Sequence, residues 1–442
     1  MLTLHWTLKD VARITGGVIV GDPQLVVTSI GTDSRAVAPG SLFVAIVGEI
    51  YDGHRFAAQA LQAGAHAALV SEVPTDLSAA VVVDDTLAAL LVLATAHRQR
   101  FTGTVIAVTG STGKTSTKDL LAGALNGSHA SPRSYNNEIG VPLTILSAPV
   151  DAPYVIVEVG SRGVGHIELL MPAVRPDIAV ITNLGVVHLE TFGTEERLAD
   201  AKWELAAAVG PTGTVVIPEE EKRLQRPTSA TVLTFGPLGN VSVAGLRCDE
   251  RGRPSFVLSY RGTSYPVTLA MSGRHQATNA AAAFAAAVAA GASPVDVVEG
   301  LSTASGSAWR MEIHRGTFTV VNDAYNANPD SMRSAIESVA DMPGRHLAIV
   351  GAMAELGPVA VAEHEAVGQL LADSDYEGVI VVGEEPGIAR AYGDAAVCVP
   401  DVTSALETAE ALIRPGDVVL VKASRSGGLE HIALALIEIA AP

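Results

Sequence analysis

Short apolar runs alternate with helix-length segments over most of the chain, and that alternation sets the expected fold. Residues 105–108 (Val-Ile-Ala-Val), 154–159 and 178–182 are nearly continuous in apolar side chains, and each is followed by a stretch of helical spacing. Strands apolar at every position are buried on both faces, as in a parallel sheet covered by helices. The pattern returns after residue 311, with strands predicted at 317–321, 346–350, 379–382 and 418–421, a doubly wound parallel arrangement. Ahead of residue 99 the runs are shorter (26–27, 42–46, 67–70, 80–83) and interleave with helical segments at 56–63 and 87–98. Residues 215–266 are β-rich and irregular, with Pro218, Pro237 and Pro254, and read as extra strands appended to the middle unit. The expectation is an α/β chain of three domains: a small α/β unit at 1–98, a central unit with a parallel sheet at 99–310, and a Rossmann-like doubly wound unit at 311–442. A length of 442 residues agrees, at roughly 150 per domain.

Composition narrows the class. With 48% hydrophobic and 17% charged residues the chain is globular. The two cysteines, Cys248 and Cys398, form no CxxC pair, which points to a reducing compartment and away from a zinc or disulfide framework. The first ten residues lack a basic segment followed by an apolar one, and the most apolar stretch, 280–290, is too short for a bilayer. A cytoplasmic protein without membrane insertion is expected. The net charge of −18 repels nucleic acid, so an anionic ligand must be held by local cations.

One segment supplies such a site. Thr109-Gly110-Ser111-Thr112-Gly113-Lys114-Thr115-Ser116 follows the 105–108 run and precedes a helical segment. A glycine turn between strand and helix aims unpaired backbone N–H groups at one point, where the helix dipole also favours negative charge. Gly110, Ser111, Thr112, Gly113, Lys114, Thr115 and Ser116 are the expected contacts of ATP, with Lys114 on the terminal phosphates and the Thr115 hydroxyl on Mg2+. The glycines are closer than in the strict motif, whose first glycine position holds Val108, so this is a variant P-loop.

Ligands of parallel sheets gather at the carboxyl ends of the strands, and further candidates fall there. Glu158 closes the 154–159 run, where a carboxylate can ligate magnesium, and His188 lies shortly after the next strand; each also fits a loop residue satisfied locally. Lys202 falls on the apolar stripe of the helix expected at 198–209, where a lysine either snorkels or belongs to a site. Burial would depress its pKa and let the amine take up carbon dioxide, turning a cation into a carboxylate-like metal ligand. His275 and Asn279 share a face at the start of an alanine-rich helix, suited to capping or to reading adenine. In 322–329 (Asn-Asp-Ala-Tyr-Asn-Ala-Asn-Pro) Asn328 is the expected N-cap and Pro329 the first helical residue. Asp33-Ser34-Arg35 fits either turn chemistry or a diphosphate contact. Gly351-Ala352-Met353-Ala354-Glu355-Leu356-Gly357 lacks the G-x-G-x-x-G spacing, which argues against a dehydrogenase.

Residues 109–116, 136–144 (Asn-Asn-Glu-Ile-Gly-Val-Pro-Leu-Thr) and above all 323–329 resemble the Mur ligases, and the resemblance spans essentially the whole chain. It implies an N-terminal domain for a UDP-sugar, a central ATPase, and a C-terminal domain that closes over ATP. Absence of the Asp-Asn-Pro-Arg motif of the member that adds the third peptide residue favours the one that joins D-alanyl-D-alanine to UDP-N-acetylmuramoyl-tripeptide. The same resemblance puts Ser34, Arg35, Asn137, Glu138, Tyr325, Asn326 and Asn328 on the substrates. Glu158, His188 and carbamylated Lys202 go to the metal site with Thr115, Asn279 to adenine, and Arg310 with Asp323 to phosphate and ribose. Three segments depart from the family pattern: Gly351-Ala352-Met353, Lys422-Ala423-Ser424 and Pro218-Glu219-Glu220. Other readings are a related amide ligase, such as the sister adding the third residue or a folylpolyglutamate synthetase, and an ATP-binding regulatory module that transfers nothing. A monomer is expected.

Overall fold

The strand Thr104–Thr109 lies inside the central sheet, with every position after Thr104 buried. Val105 and Ala107 pack into one core cluster and Ile106 and Val108 into another, so both faces are covered. The computed structural model describes residues 4–48, 50–72, 77–185, 192–383 and 386–441. Thr104–Thr109 pairs in parallel with Tyr154–Glu158 on one side and Ile178–Ile181 on the other, Ile106 standing opposite both Ile156 and Ile178. The sheet has nine strands, in the order Thr263–Thr268, Pro254–Tyr260, Val241–Cys248, Thr231–Phe235, Thr214–Pro218, Ile178–Ile181, Thr104–Thr109, Tyr154–Glu158, His129–Ala130. The irregular segment after residue 214 thus extends the same sheet. Its last three strands pair antiparallel, and the middle one, Pro254–Tyr260, alternates in burial, as a strand with one covered face must.

Among the described residues two further large sheets flank this one in sequence, beside a two-stranded pairing of Trp6–Thr7 with Val26–Val27. Residues 18–82 form a five-stranded sheet ordered Val18–Val20, Ala80–Val82, Ala67–Val70, Ser41–Val44, Ser29–Gly31. The segment expected as one helix at 56–63 divides into a 3-10 turn, Gly53–Phe56, and the helix Ala57–Gln62, the turn being set by the Asp52 carboxylate accepting from the His54 N–H. The core of this sheet merges with that under the central one: Leu90 and Leu93 of the helix Thr86–Arg98 belong to the same cluster as Val141 and Ile145. After residue 311 a six-stranded sheet runs Glu312–Arg315, Thr319–Asn322, Val418–Lys422, His346–Gly351, Gly378–Val382, Ala396–Val399. All its pairings are parallel except the first, and it is buried on both faces.

Among the described residues no helix is long and apolar enough to cross a membrane. The alanine-rich segment is instead the helix Gln276–Ala289, with Ala280 to Ala287 all buried. Small side chains let it lie close against the helix Lys114–Ala124 and the sheet beneath. That closeness brings its first turn to the glycine loop.

Candidate active site

The loop between Thr109 and Lys114 folds as its glycines dictate. Gly113 stands at the N-cap of Lys114–Ala124 with φ 75° and no side chain capping the helix, so the first N–H groups remain open to a ligand. A Cβ there would lie 2.4 Å from Asn279 Oδ1, and one on Gly110 would lie 1.9 Å from Thr182 Oγ1. Both contacts are possible only for glycine. The loop is braced from the end of the neighbouring strand. Ser111 N–H donates to the Asn183 carbonyl (3.2 Å), Thr112 N–H to Asn183 Oδ1 (2.9 Å), and Thr182 Oγ1 donates to the Thr112 carbonyl.

Lys114 curls over this loop, its Nζ donating to the carbonyls of Gly110 (2.7 Å) and Ser111 (3.1 Å). The residue keeps partial solvent contact, yet the protein around its amine pushes the pKa down to about 8; Glu158 opposes the shift and Arg310 adds to it. Glu158 is 1% exposed. Its Oε1 accepts from Asn136 Nδ2 at 2.7 Å, while its Oε2 is buried without a hydrogen-bond partner. The Thr115 hydroxyl lies 3.2 Å from Ser134 Oγ, which also accepts from Arg310 Nη2 at 3.1 Å.

Lys202, 2% exposed, donates from Nζ to Ser161 Oγ at 2.7 Å and sits 6.0 Å from the Phe192 ring centre. It does not snorkel. Burial drives its pKa well below the ordinary value, the charge of Lys114 adds to this, and Glu204 partly offsets it.

The unit after residue 311 completes the enclosure. Arg310 stacks on Tyr325, 4.1 Å from the ring centre, and Trp309 and Met311 on either side of it hold positive φ, 62° and 51°. Asp323 Oδ1 accepts from Met311 N–H (3.0 Å) and its Oδ2 from Lys422 Nζ (2.6 Å); Lys422, 2% exposed, also donates to the Asn326 carbonyl (2.9 Å). Asn328 caps the helix Pro329–Ala340 as expected, accepting from Ser331 N–H at 2.9 Å. A cavity of about 650 Å3 lies between these groups. Its walls include the 111–116 loop, Glu158, Asn279, Arg310, Asp323, Tyr325, Asn326 and Asn328.

Other expected residues lie elsewhere. Arg35 is 85% exposed on its side chain and is held by both oxygens of Asp33 at 2.9 Å; it and Ser34 are in the five-stranded unit, outside the cavity wall. Asn137 spends its Oδ1 on the N–H groups of Ile139 and Gly140, and Glu138 pairs with Arg162 and His166. It is Asn136, one residue earlier, that reaches Glu158. His275 does line the cavity, but it makes no capping bond, and its Nδ1 is buried without a partner among the described residues. His188 lies outside the described residues.

Sequence reasoning passed over Thr182, Asn183, Asn136, Ser134 and Asp330. Thr182 and Asn183 carried a usable signal, being polar residues directly after an apolar strand whose neighbour ends in a glycine turn. The donor set also bears on a metal. Among the described residues no group of three or more His, Cys, Asp or Glu side chains converges. One buried carboxylate with a free oxygen beside a P-loop hydroxyl suits Mg2+, which takes one or two carboxylates and completes its shell with phosphate oxygens and water.

Comparisons with known proteins agree along the chain. Residues 26–99 match the model of the Mur ligase family catalytic domain, 108–287 the Mur ligase middle domain and 309–425 the Mur ligase glutamate ligase domain. The UDP-N-acetylmuramoyl-tripeptide–D-alanyl-D-alanine ligase of Mycobacterium bovis is 37% identical over 98% of each chain. A crystal structure of MurF from Acinetobacter baumannii superposes with a TM-score of 0.90 at 29% identity, covering 99% of this chain and 100% of that one. MurF from Thermotoga maritima in complex with ADP superposes with a TM-score of 0.82 at 29% identity, covering 93% and 97%.

Proposed function

Because the chain belongs to the Mur ligase family, among its MurF members, we propose that this cavity joins D-alanyl-D-alanine to UDP-N-acetylmuramoyl-tripeptide at the expense of ATP, forming ADP and phosphate. The observation that carries the reading is the convergence of Lys114 and Thr115 with Glu158 on one side and Arg310, Asp323 and Lys422 on the other, in one cavity. Residues 1–98 hold the UDP-sugar, with Ser34 and Arg35 on that substrate and Asn137 and Glu138 near it. Residues 99–310 bind ATP, and 311–442 close over it and bring the dipeptide past Tyr325, Asn326 and Asn328. The working unit is a monomer. Its place is the cytoplasm, where ATP and nucleotide-sugar precursors are found together.

A carboxylate is a poor electrophile and repels ATP, so the chain must cancel charge before it can join two substrates. Lys114 and the open N–H groups at the start of its helix hold the phosphates, Arg310 meets the terminal one, Asn279 meets adenine, and Asp323 meets the ribose. Thr115 and Glu158 hold Mg2+, together with Lys202 as its carbamate; His188 belongs to the same expectation. When bound, Mg2+ neutralises charge on the transferring phosphoryl group. The depressed pKa of Lys202 supports the carbamate, since only the neutral amine adds to carbon dioxide. The tripeptide carboxylate takes the γ-phosphoryl group, giving an acyl phosphate and ADP. The dipeptide amine then displaces phosphate from the acyl carbon. Enclosure between the two units keeps water from that intermediate.

Phosphate release with ATP, Mg2+ and UDP-muramoyl tripeptide, measured with and without D-Ala-D-Ala, tests the reading. Release that requires the dipeptide and yields a UDP-pentapeptide is expected, and Lys114→Ala should abolish it. Release supported only by a single amino acid would reassign the substrate.

A further inference from the structure

Asp330 is a carboxylate in a cavity built for anions. It is the second residue of the helix Pro329–Ala340, where an acid suits the helix dipole, and on an exposed helix that would explain it. This one is half-buried and lines the cavity. Its Oδ2 comes so close to the backbone of Gly185 that a Cβ there would lie 1.7 Å away, and the Gly185 carbonyl in turn accepts from Ser111 Oγ of the phosphate loop. The absence of a side chain at Gly185 is what admits the carboxylate. Among the described residues nothing donates a hydrogen bond to Asp330. Burial raises its pKa, which Arg333 on its own helix partly offsets.

A half-buried acid with no fixed partner beside a phosphate site is unfavourable unless a cation visits. One substrate of the reaction proposed above brings a cation of its own, the ammonium of the dipeptide. We propose that Asp330 holds the ammonium of the incoming dipeptide and takes the proton that nitrogen must lose before it attacks. The proposal rests on the reading of the site as a D-alanyl-D-alanine ligase. The step balances. The ammonium gives one proton to the Asp330 carboxylate, and the freed lone pair forms the C–N bond to the acyl carbon. The acyl C–O bond breaks with its electrons going to phosphate, and the second surplus proton on nitrogen leaves with that phosphate. Asp330 sits where this requires, on the closing unit and against Ser111. The raised pKa makes it a better base than an ordinary carboxylate.

The test is Asp330→Asn, with Asp330→Glu as the conservative partner, assayed for UDP-pentapeptide with each substrate varied in turn. A charge-assisted hydrogen bond is lost in the first variant, so its KM for D-Ala-D-Ala should rise about tenfold or more, with KM for ATP and for UDP-muramoyl tripeptide within about twofold of the unmodified enzyme. The Glu variant should recover part of the loss. The deficit of the Asn variant should also shrink as pH rises past the α-amino pKa of about 8, where the dipeptide arrives already neutral. The other charged or titratable groups around Asp330 among the described residues are Arg333 and, across the cavity, Lys114, Glu158, Glu220, His275, Arg310 and the Asp323–Lys422 pair. They are present in both proteins, so their titration cancels in the ratio. ADP binding measured by calorimetry shows that the Asn variant is folded. An unchanged dipeptide KM, an equal rise for all three substrates, a deficit independent of pH, or a shift confined to the Mg2+ requirement would each overturn the proposal. Failure of the unmodified enzyme to make UDP-pentapeptide would overturn the reading beneath it as well.

Discussion

Nucleotide binding should draw a proton onto Lys114, and the amount follows from the structure. In the free protein burial holds this amine at a pKa of about 8 against an ordinary 10.5. Phosphates seated on the 110–115 loop bring negative charge against it and favour the ammonium, so the bound pKa rises. The sign is therefore uptake, never release. If the bound value returns to about 10.5, uptake per nucleotide is about 0.1 proton at pH 7, about 0.5 at pH 8 and about 0.9 at pH 9. Calorimetry of ADP binding in pairs of buffers with different ionisation enthalpies reads this number, and ADP keeps γ-phosphate titration out of it. Lys114→Met should remove the uptake. A proton count near zero between pH 8 and 9 in the unmodified protein, or one that survives in Lys114→Met, would show that the phosphates do not lie against this amine.

Two further outcomes follow from the site. Glu158→Gln keeps an acceptor for Asn136 but removes the charge of the buried oxygen, so the Mg2+ concentration for half-maximal phosphate release should rise about tenfold or more; an unchanged Mg2+ dependence would take Glu158 out of the metal site. Gly113→Ala sets a Cβ against Asn279 in a left-handed conformation, costing about 1–3 kcal/mol of stability by chemical denaturation and weakening ADP binding. Normal ADP affinity in that variant would mean that the loop and Asn279 are not coupled.

What could be read in advance was whatever one segment decides by itself. The glycine turn announces its own backbone, the apolar strands announce a sheet covered on both faces, and Asn328-Pro329 announces a helix start. Lys202 was also legible, because a lysine on an apolar stripe is a local contradiction, here resolved by burial against Ser161. Contacts decided between segments were not legible. Nothing in the local pattern separates Asn136 from Asn137, yet the first meets Glu158 and the second turns back to Ile139 and Gly140. Asp330 has only the local pattern of an ordinary first-turn acid, because its neighbours at Gly185 and Ser111 come from another unit. Lys422 ends a strand, and only the packed structure shows its amine closed over Asp323 and Asn326.

Trp309 and Met311, the two left-handed residues on either side of Arg310, have a consequence for turnover. Neither is glycine, so each has only a few discrete backbone wells, and leaving one swings the chain through a large angle. Arg310 is the residue between them, and its guanidinium connects this stretch to Ser134 beside the phosphate loop. A change of well at either neighbour carries the guanidinium away from that serine. If Arg310 serves the nucleotide as proposed, the connection works as a clutch: engaged, it would put a positive charge on the nucleotide, and separation of the two units would disengage the same charge. A ligand that fills the cavity and keeps Arg310 in place would hold the enzyme shut with its product inside.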